Sequence, residues 1–243
     1  MTEKAFETIA GSGPLLFLCD HASNALPAGM GTLGLDPALF ATHIAWDIGA
    51  AAATRALARA YGAPALLGGW SRLLIDLNRG ADDPTIVMKL SDGSIIPGNR
   101  DADAAEVARR IAKYHTPYHA AIARELDRIG EGAVIVSMHS FTPHWKTVPR
   151  KWDIGILYAG DARLAAPLML RLAQAGLEVG DNEPYSGALE GDTLDVHGIK
   201  RGIAHVLIEI RQDLVGDDAA ARAFALRLKP LLDAAIADMH SRG

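Results

Sequence analysis

Three apolar runs of the chain stop at residues able to do chemistry. LLFLCDHASNALP, from 15 to 27, ends its hydrophobic stretch at Asp20, His21 and Asn24; VIVSMHSFTP presents His139 and Ser140; HVLIEIRQDL carries Glu209 and Arg211. An ionised carboxylate removed from water without compensation costs several kcal/mol, so Glu209 in a Val-Leu-Ile context calls for a metal, a cation or a water network beside it. Imidazole nitrogens and carboxylate oxygens are the usual ligands of a catalytic zinc, which takes three protein ligands and leaves a position for water. A carboxylate just beyond those ligands can receive that water's proton. His21, His139 and Glu209 lie far apart in sequence and no HExxH occurs, so they form one site only if their strand ends meet. A lone histidine at a strand end is more often a hydrogen-bonded structural residue; three such groups on different strands shift the balance toward a metal. Cys19 reads as a small buried hydrophobe, although strand parity with His21 leaves a thiol role open.

A fourth stretch, SRLLIDLNRGADDP, bears on the substrate. The guanidinium groups of Arg72 and Arg79 can grip a carboxylate bidentately while Asn78 donates a further hydrogen bond, which implies an anionic ligand. Equally, Asp76, Asp82 or Asp83 could pair with those arginines for structural reasons. KYHTPYHAAI sets His115 and His119 one helical turn apart, a spacing that serves metal binding or bracing alike. NEPYSGALEGDTLDVHG is long, polar and glycine-containing, a candidate lid from which Tyr185 and His197 could reach substrate or an oxyanion.

The elements that must position these residues alternate. Strands are expected at 14–19, 63–68, 72–76, 133–138, 153–158 and 204–210, several of them apolar throughout, as strands covered on both faces should be. Helix starts are expected at Asp36-Pro37 and at Asp103 with Glu106 in capping-box spacing. Gly62, Gly130 and Gly176 follow helical patterns, and a final helix is expected over about 217–240. The pattern predicts an α/β fold: one domain over 1–243, with a central, mixed but mostly parallel sheet flanked by helices, and a ligand site beyond the carboxyl ends of the strands.

The bulk composition excludes several classes. A formal charge of -5 and a pI near 6.0 give no basic field for nucleic acid. The first residues lack the basic start and apolar core of a secretory signal, and no later stretch is long and apolar enough for a bilayer, so no membrane partner is expected. With a single cysteine, the expected setting is the reducing cytoplasm.

In order along 14 to 215, DHASNALP, AWDIGA, SRLLIDLNR, YHTPYHAAI, VSMHSFTP and LIEIRQDL resemble the N-formylglutamate amidohydrolases, relatives of the zinc carboxypeptidases and aspartoacylases. The resemblance implies a zinc-carboxypeptidase-like architecture, one Zn2+ held by His21 and His139, and Glu209 as general base and proton shuttle. The wider fold group carries His-x-x-Glu where this chain has Asn24 in the fourth place. That leaves the third ligand open between Asp47 of AWDIGA, the first choice, and Asn24, an amide oxygen being the poorer zinc ligand; Asp47 could instead be a helix N-terminal charge. The resemblance also assigns Asn78 and Arg79 to the substrate carboxylate and Arg72 to the scissile carbonyl. The implied reaction is hydrolysis of a small anionic N-acyl amino acid, N-formyl-L-glutamate above all. Another N-acyl amino acid, a short acidic peptide, or a non-catalytic role in binding an amino acid or metal are the alternatives.

Overall fold

Strands here are short apolar runs with little alternation because helices cover both faces of the sheet they form. In the computed structural model, which describes residues 4–241, the sheet strands are β1 (Phe6–Ile9), β2 (Leu15–Cys19), β3 (Ala65–Gly68), β6 (Val134–Phe141), β9 (Ile154–Leu157), β10 (Val179–Asp181) and β11 (Ala204–Arg211), with the hairpins β4 (Leu90–Ser91)–β5 (Ser94–Ile95) and β7 (His144–Trp145)–β8 (Val148–Pro149) outside it. The helices are α1 (Ala50–Tyr61), α2 (Pro97–Arg100), α3 (Ala104–Arg110), α4 (Thr116–Ile129), α5 (Ala165–Gln174), α6 (Thr193–His197) and α7 (Asp218–Ser241). The sheet has seven strands in the order β1-β3-β2-β6-β11-β9-β10. β3, β2, β6 and β11 run parallel, while β1 and β9 pair antiparallel to their neighbours β3 and β11. This is the single mixed, mostly parallel α/β domain expected.

The chain leaves β2 toward β3 on one side and later returns to lay β6 on the other, so the loops beyond β2 and β6 diverge and open a crevice at their carboxyl ends. One face of the sheet packs Phe17, Val136 and Ile208 against Leu57, Leu168 and Leu228 of α1, α5 and α7; the other packs Leu16, Leu18 and Ile135 against Tyr118, Ile122 and Leu126 of α4. Among the described residues no helix is long and apolar enough to cross a membrane.

Helix ends follow their local signals. Asp103 Oδ1 accepts from Glu106 N at 2.8 Å, but Glu106 spends its own carboxylate on Arg109 and Arg110 instead of closing the capping box. Between α3 and α4 the helix widens into a π-turn over Ile111–His115. Pro117 explains it: proline has no N–H to give the preceding turn, and its ring crowds that turn's carbonyl. Asp36-Pro37 starts only a 3₁₀ turn, Pro37–Ala41.

One expected strand is absent. Residues 72–76 form turns and irregular backbone, although Leu73, Leu74 and Ile75 are fully buried. Buried backbone must find hydrogen-bond partners, and here two side chains and a distant backbone carbonyl provide what a neighbouring strand would. Asn99 Nδ2 donates to Leu73 O at 2.7 Å, Arg110 donates to Leu74 O at 2.9 Å, and Asp76 N donates to Ile86 O at 2.8 Å. An apolar run shows that a segment is buried, not how its backbone is satisfied. Two strands of the seven-stranded sheet escaped the sequence reading, β1, half exposed at one edge, and the three-residue β10 at the other, as did the two-residue strands of both hairpins.

Asn99 is wholly buried, also donates to Met88 O at 2.8 Å, and accepts from Arg110 at 2.7 Å. Asn99→Ala leaves these groups unpaired and is expected to cost about 3 kcal/mol of unfolding free energy; urea denaturation of the variant beside the parent measures it, and a loss under about 1 kcal/mol would contradict this account of the segment.

Candidate metal centre

His21 lies in the turn just past β2, His139 on β6, and Asp47 in the loop before α1. Asp47 is brought to the histidines by its own backbone, its N–H donating to His21 O at 3.0 Å. Two residues later Gly49 takes a positive φ of 81° at a spot where a Cβ would lie 2.2 Å from Val215 O, so only glycine lets the chain pass into α1 there. The Asp47 carboxylate thus faces both imidazoles: Oδ2 is 2.8 Å from His139 Nδ1 and 3.4 Å from His21 Nδ1. One ligand atom from each of the three residues falls within 4.8 Å of the others, the spacing that a single ion with bonds of about 2 Å bridges.

The far sides of both rings are also held by acids. His21 Nε2 meets Asp76 Oδ1 at 2.6 Å, and His139 Nε2 lies 3.5 Å from Asp20 Oδ2, with Tyr118 Oη donating to Asp20 Oδ1 at 2.6 Å. With an acid facing both nitrogens of each ring, a proton on Nε2 and another on Nδ1 satisfy them, Nδ1–H donating to Asp47; an ion bound between the rings would take the place of the Nδ1 protons. Electrostatics agree. Asp20, Asp47, Asp76 and Glu209 are all buried, with Arg72 as the full cation among them. Burial and Arg72 would lower His21, and burial would lower His139, yet the surrounding carboxylates hold both imidazoles above their ordinary value. Burial likewise works against ionised Asp47 and Asp76, but the imidazoles, joined by Arg72 at Asp76, hold both acids well below the carboxylate range. The site demands positive charge, and its donor set of two imidazoles and a carboxylate fits a divalent ion such as zinc.

Glu209 sits beside His139 in the strand register. It is 6% exposed, and its Oε2 has no hydrogen-bond partner among the described residues. Burial, reinforced by the Asp47 charge and opposed by His139, His21 and Arg72, pushes it up to about 7. A carboxyl poised near neutrality both takes and returns a proton.

A cleft of about 380 Å³ opens over these groups and is lined by Arg72, Asn78, Arg79 and Tyr185 as well. Arg72 spans two carboxylates of the centre, at 3.0 Å from Asp76 Oδ2 and 3.4 Å from Asp47 Oδ1, so the pairing weighed from sequence exists alongside its position in the cleft. Asn78 Oδ1 accepts from Thr193 N at 3.2 Å, leaving its amide N–H groups for the cleft. Arg79 stands 3.6 Å from Asp83, and Tyr185, at the mouth, packs its ring 5.0 Å from the Arg150 guanidinium.

One sequence reading is corrected, and two of the alternatives weighed beside the first choices are closed. His197 is not among the residues lining the cleft; it ends α6, buried, with its Nε2 3.0 Å from His119 Nδ1. Asn24 is directed elsewhere, its amide donating to Phe40 O at 2.7 Å. Cys19 packs with α1 on the opposite face of the sheet, and burial raises its thiol far above the ordinary range, which removes the case for a nucleophile. Asp20 and Asp76, given no role at the centre from the sequence, carry both imidazoles. Their signal was an acid adjoining His21 and another ending the apolar run before Asn78, each in a place where burial requires a partner.

The comparisons with known proteins come to the same place. A family model described as N-formylglutamate amidohydrolase matches residues 13–215. The solved structure of a gene product from Agrobacterium tumefaciens is 35% identical, superposes with a TM-score of 0.92, and is covered to 96% by 98% of this chain. The N-formylglutamate amidohydrolase of Ralstonia eutropha JMP134, 22% identical with 97% of each chain covered, shares the fold at a TM-score of 0.68. No curated protein matches the chain.

Because ligand imidazoles must be deprotonated, metal uptake has to expel the protons that the carboxylates hold on His21 and His139. Without metal, the stability contributed by these raised groups is present below their unfolded value of about 6.5 and lost as pH climbs through the folded values. Zinc affinity is therefore expected to rise with pH around and above 6.5, by up to about tenfold per unit for each proton expelled. Calorimetry in buffers of different ionisation enthalpy counts those protons, and zero release at about pH 6 would refute the protonated imidazoles.

Proposed function

Because the chain belongs to the N-formylglutamate amidohydrolase family, we propose that it is a metal-dependent hydrolase of the amide bond of N-formyl amino acids, with N-formyl-L-glutamate as substrate and formate and L-glutamate as products. The observation that carries the reading is the buried Glu209 Oε2, without a hydrogen-bond partner among the described residues, beside a cluster of two histidines and an aspartate at the floor of a cleft. His21, His139 and Asp47 would hold the ion, with zinc the first candidate. A divalent ion bound there supplies Lewis acidity toward water and the scissile carbonyl.

The chain's own groups do the rest. Glu209 removes a proton from the attacking water as its oxygen bonds to the formyl carbon, and returns that proton to the amide nitrogen as the C–N bond breaks. Arg72, on the cleft wall, offers its guanidinium to the charge that develops on the carbonyl oxygen. Asn78 and Arg79 receive the α-carboxylate and fix the amide over Glu209. A cleft of about 380 Å³ suits a single amino-acid derivative.

Formate release from a panel of N-formyl and N-acetyl amino acids, with and without chelator and alongside metal analysis, tests substrate and cofactor together. Glu209→Gln is expected to retain stoichiometric metal while kcat falls by about 10²–10⁴-fold; parental turnover in that variant would remove Glu209 from its role.

A further inference from the structure

His115, His119 and His197 stand outside the metal cluster and, in the reaction above, touch nothing that reacts. Their rings form a stack: His115 and His119 centroids are 4.0 Å apart at 28°, and those of His119 and His197 are 5.2 Å apart at 19°. His119 Nε2 lies 2.9 Å from Leu77 O, and His115 Nε2 lies 2.9 Å from Arg79 O. A carbonyl only accepts, so both Nε2 atoms carry hydrogen. His119 Nδ1 is then a lone pair, and His197 Nε2, 3.0 Å away, must donate to it. Hydrogen bonds therefore run in one direction, from His197 to His119 to Leu77 O. Burial, with further like-charge repulsion, lowers His119 and His197 to about 4, and burial also lowers His115, so all three are neutral near pH 7 as the chain requires.

The two carbonyls held in this way flank Asn78. Thr193, the first residue of α6, approaches the same segment from the other side: its N–H donates to Asn78 Oδ1 and its hydroxyl to Leu77 O at 3.4 Å. α6 is thus tied to residues 77–79 at both ends, directly through Thr193 and through His119 from His197. The π-turn and Pro117 set the register that aims both α4-side imidazoles at this backbone.

We infer that His115, His119 and His197 are positioning residues for the anion clamp, fixing the backbone on either side of Asn78 so that its amide and the Arg79 guanidinium face the cleft. The inference rests on the reading that Asn78 and Arg79 receive the substrate carboxylate. It distinguishes this trio from metal ligands and from passive packing, since each imidazole spends its hydrogen on one link of the path into Leu77 and Arg79.

The test compares the parent enzyme with His119→Phe and His119→Gln, the Gln amide nitrogen standing near the place of Nε2. Substrates are N-formyl-L-glutamate and its α-carboxamide analogue. His119→Phe is expected to raise KM for the carboxylate substrate by about tenfold, with kcat within about threefold and metal content unchanged, while the carboxamide is hydrolysed as by the parent. Discrimination between the two substrates then falls about tenfold, and His119→Gln restores most of it. Unchanged discrimination in a folded His119→Phe, whatever its melting temperature, or failure of His119→Gln to rescue, overturns the inference. If His119→Phe does not fold, His197→Phe, which removes only the donor to His119 Nδ1, is judged by the same discrimination. If the parent releases no formate, the functional reading fails by itself. Calorimetric affinity for L-glutamate then replaces KM, weakened binding in the variant supporting the positioning role and parental binding refuting it.

Discussion

The structure depends on a concentration of buried negative charge around two imidazoles. Asp47 faces His21 and His139 from one side while Asp76 and Asp20 face them from the other, and Glu209 adds a fourth buried carboxyl. Such a group is unstable by itself: ionised acids taken out of water need positive charge at contact distance. Arg72, spanning Asp47 and Asp76, provides part of it, and raised imidazole protonation shows the demand that remains. A divalent ion answers the same demand at the same atoms. Metal binding at this site would therefore express the same electrostatic requirement as the stability of this part of the core.

That requirement is met by a scaffold whose irregular backbone is hydrogen-bonded to side chains from elsewhere in the chain. Residues 71–88 pass behind the centre without joining the sheet, yet they deliver Arg72, Asp76, Asn78 and Arg79 to it. Their carbonyls are claimed by Asn99, Arg110, His119 and His115, so a segment with no regular structure has these buried carbonyls paired as a strand's would be. A strand would have alternated its side chains between two faces. An irregular path held by side-chain hydrogen bonds can turn Asp76, Asn78 and Arg79 toward one cleft.

Much of the fold was legible because its signals are local. The apolar runs at 133–138 and 204–210 are the central strands, the Asp103 cap and the terminal glycines mark real helix ends, and His21, His139 and Glu209 lie at strand ends beside the cleft. The failures share a cause. The 72–76 run was buried without being a strand, and His197 sat on a polar, lid-like loop yet points inward to His119, because in each case a residue distant in the chain supplies the partner that decides the outcome.

By itself, then, the sequence determined the order of elements, the burial of the strands and the chemical types standing at their carboxyl ends, since hydrophobic period and capping act over a few residues. Only the tertiary structure decided that Asp47 rather than Asn24 joins the histidines, that Asp76 and Asp20 stand behind them, and that His115 and His119 brace a backbone. His21 and Asp47 are 26 residues apart, and Asp47 and His139 are 92. Which oxygen meets which nitrogen across such separations is set by how the loops beyond β2 and β6 close over the sheet, a property of the whole chain that no short window contains.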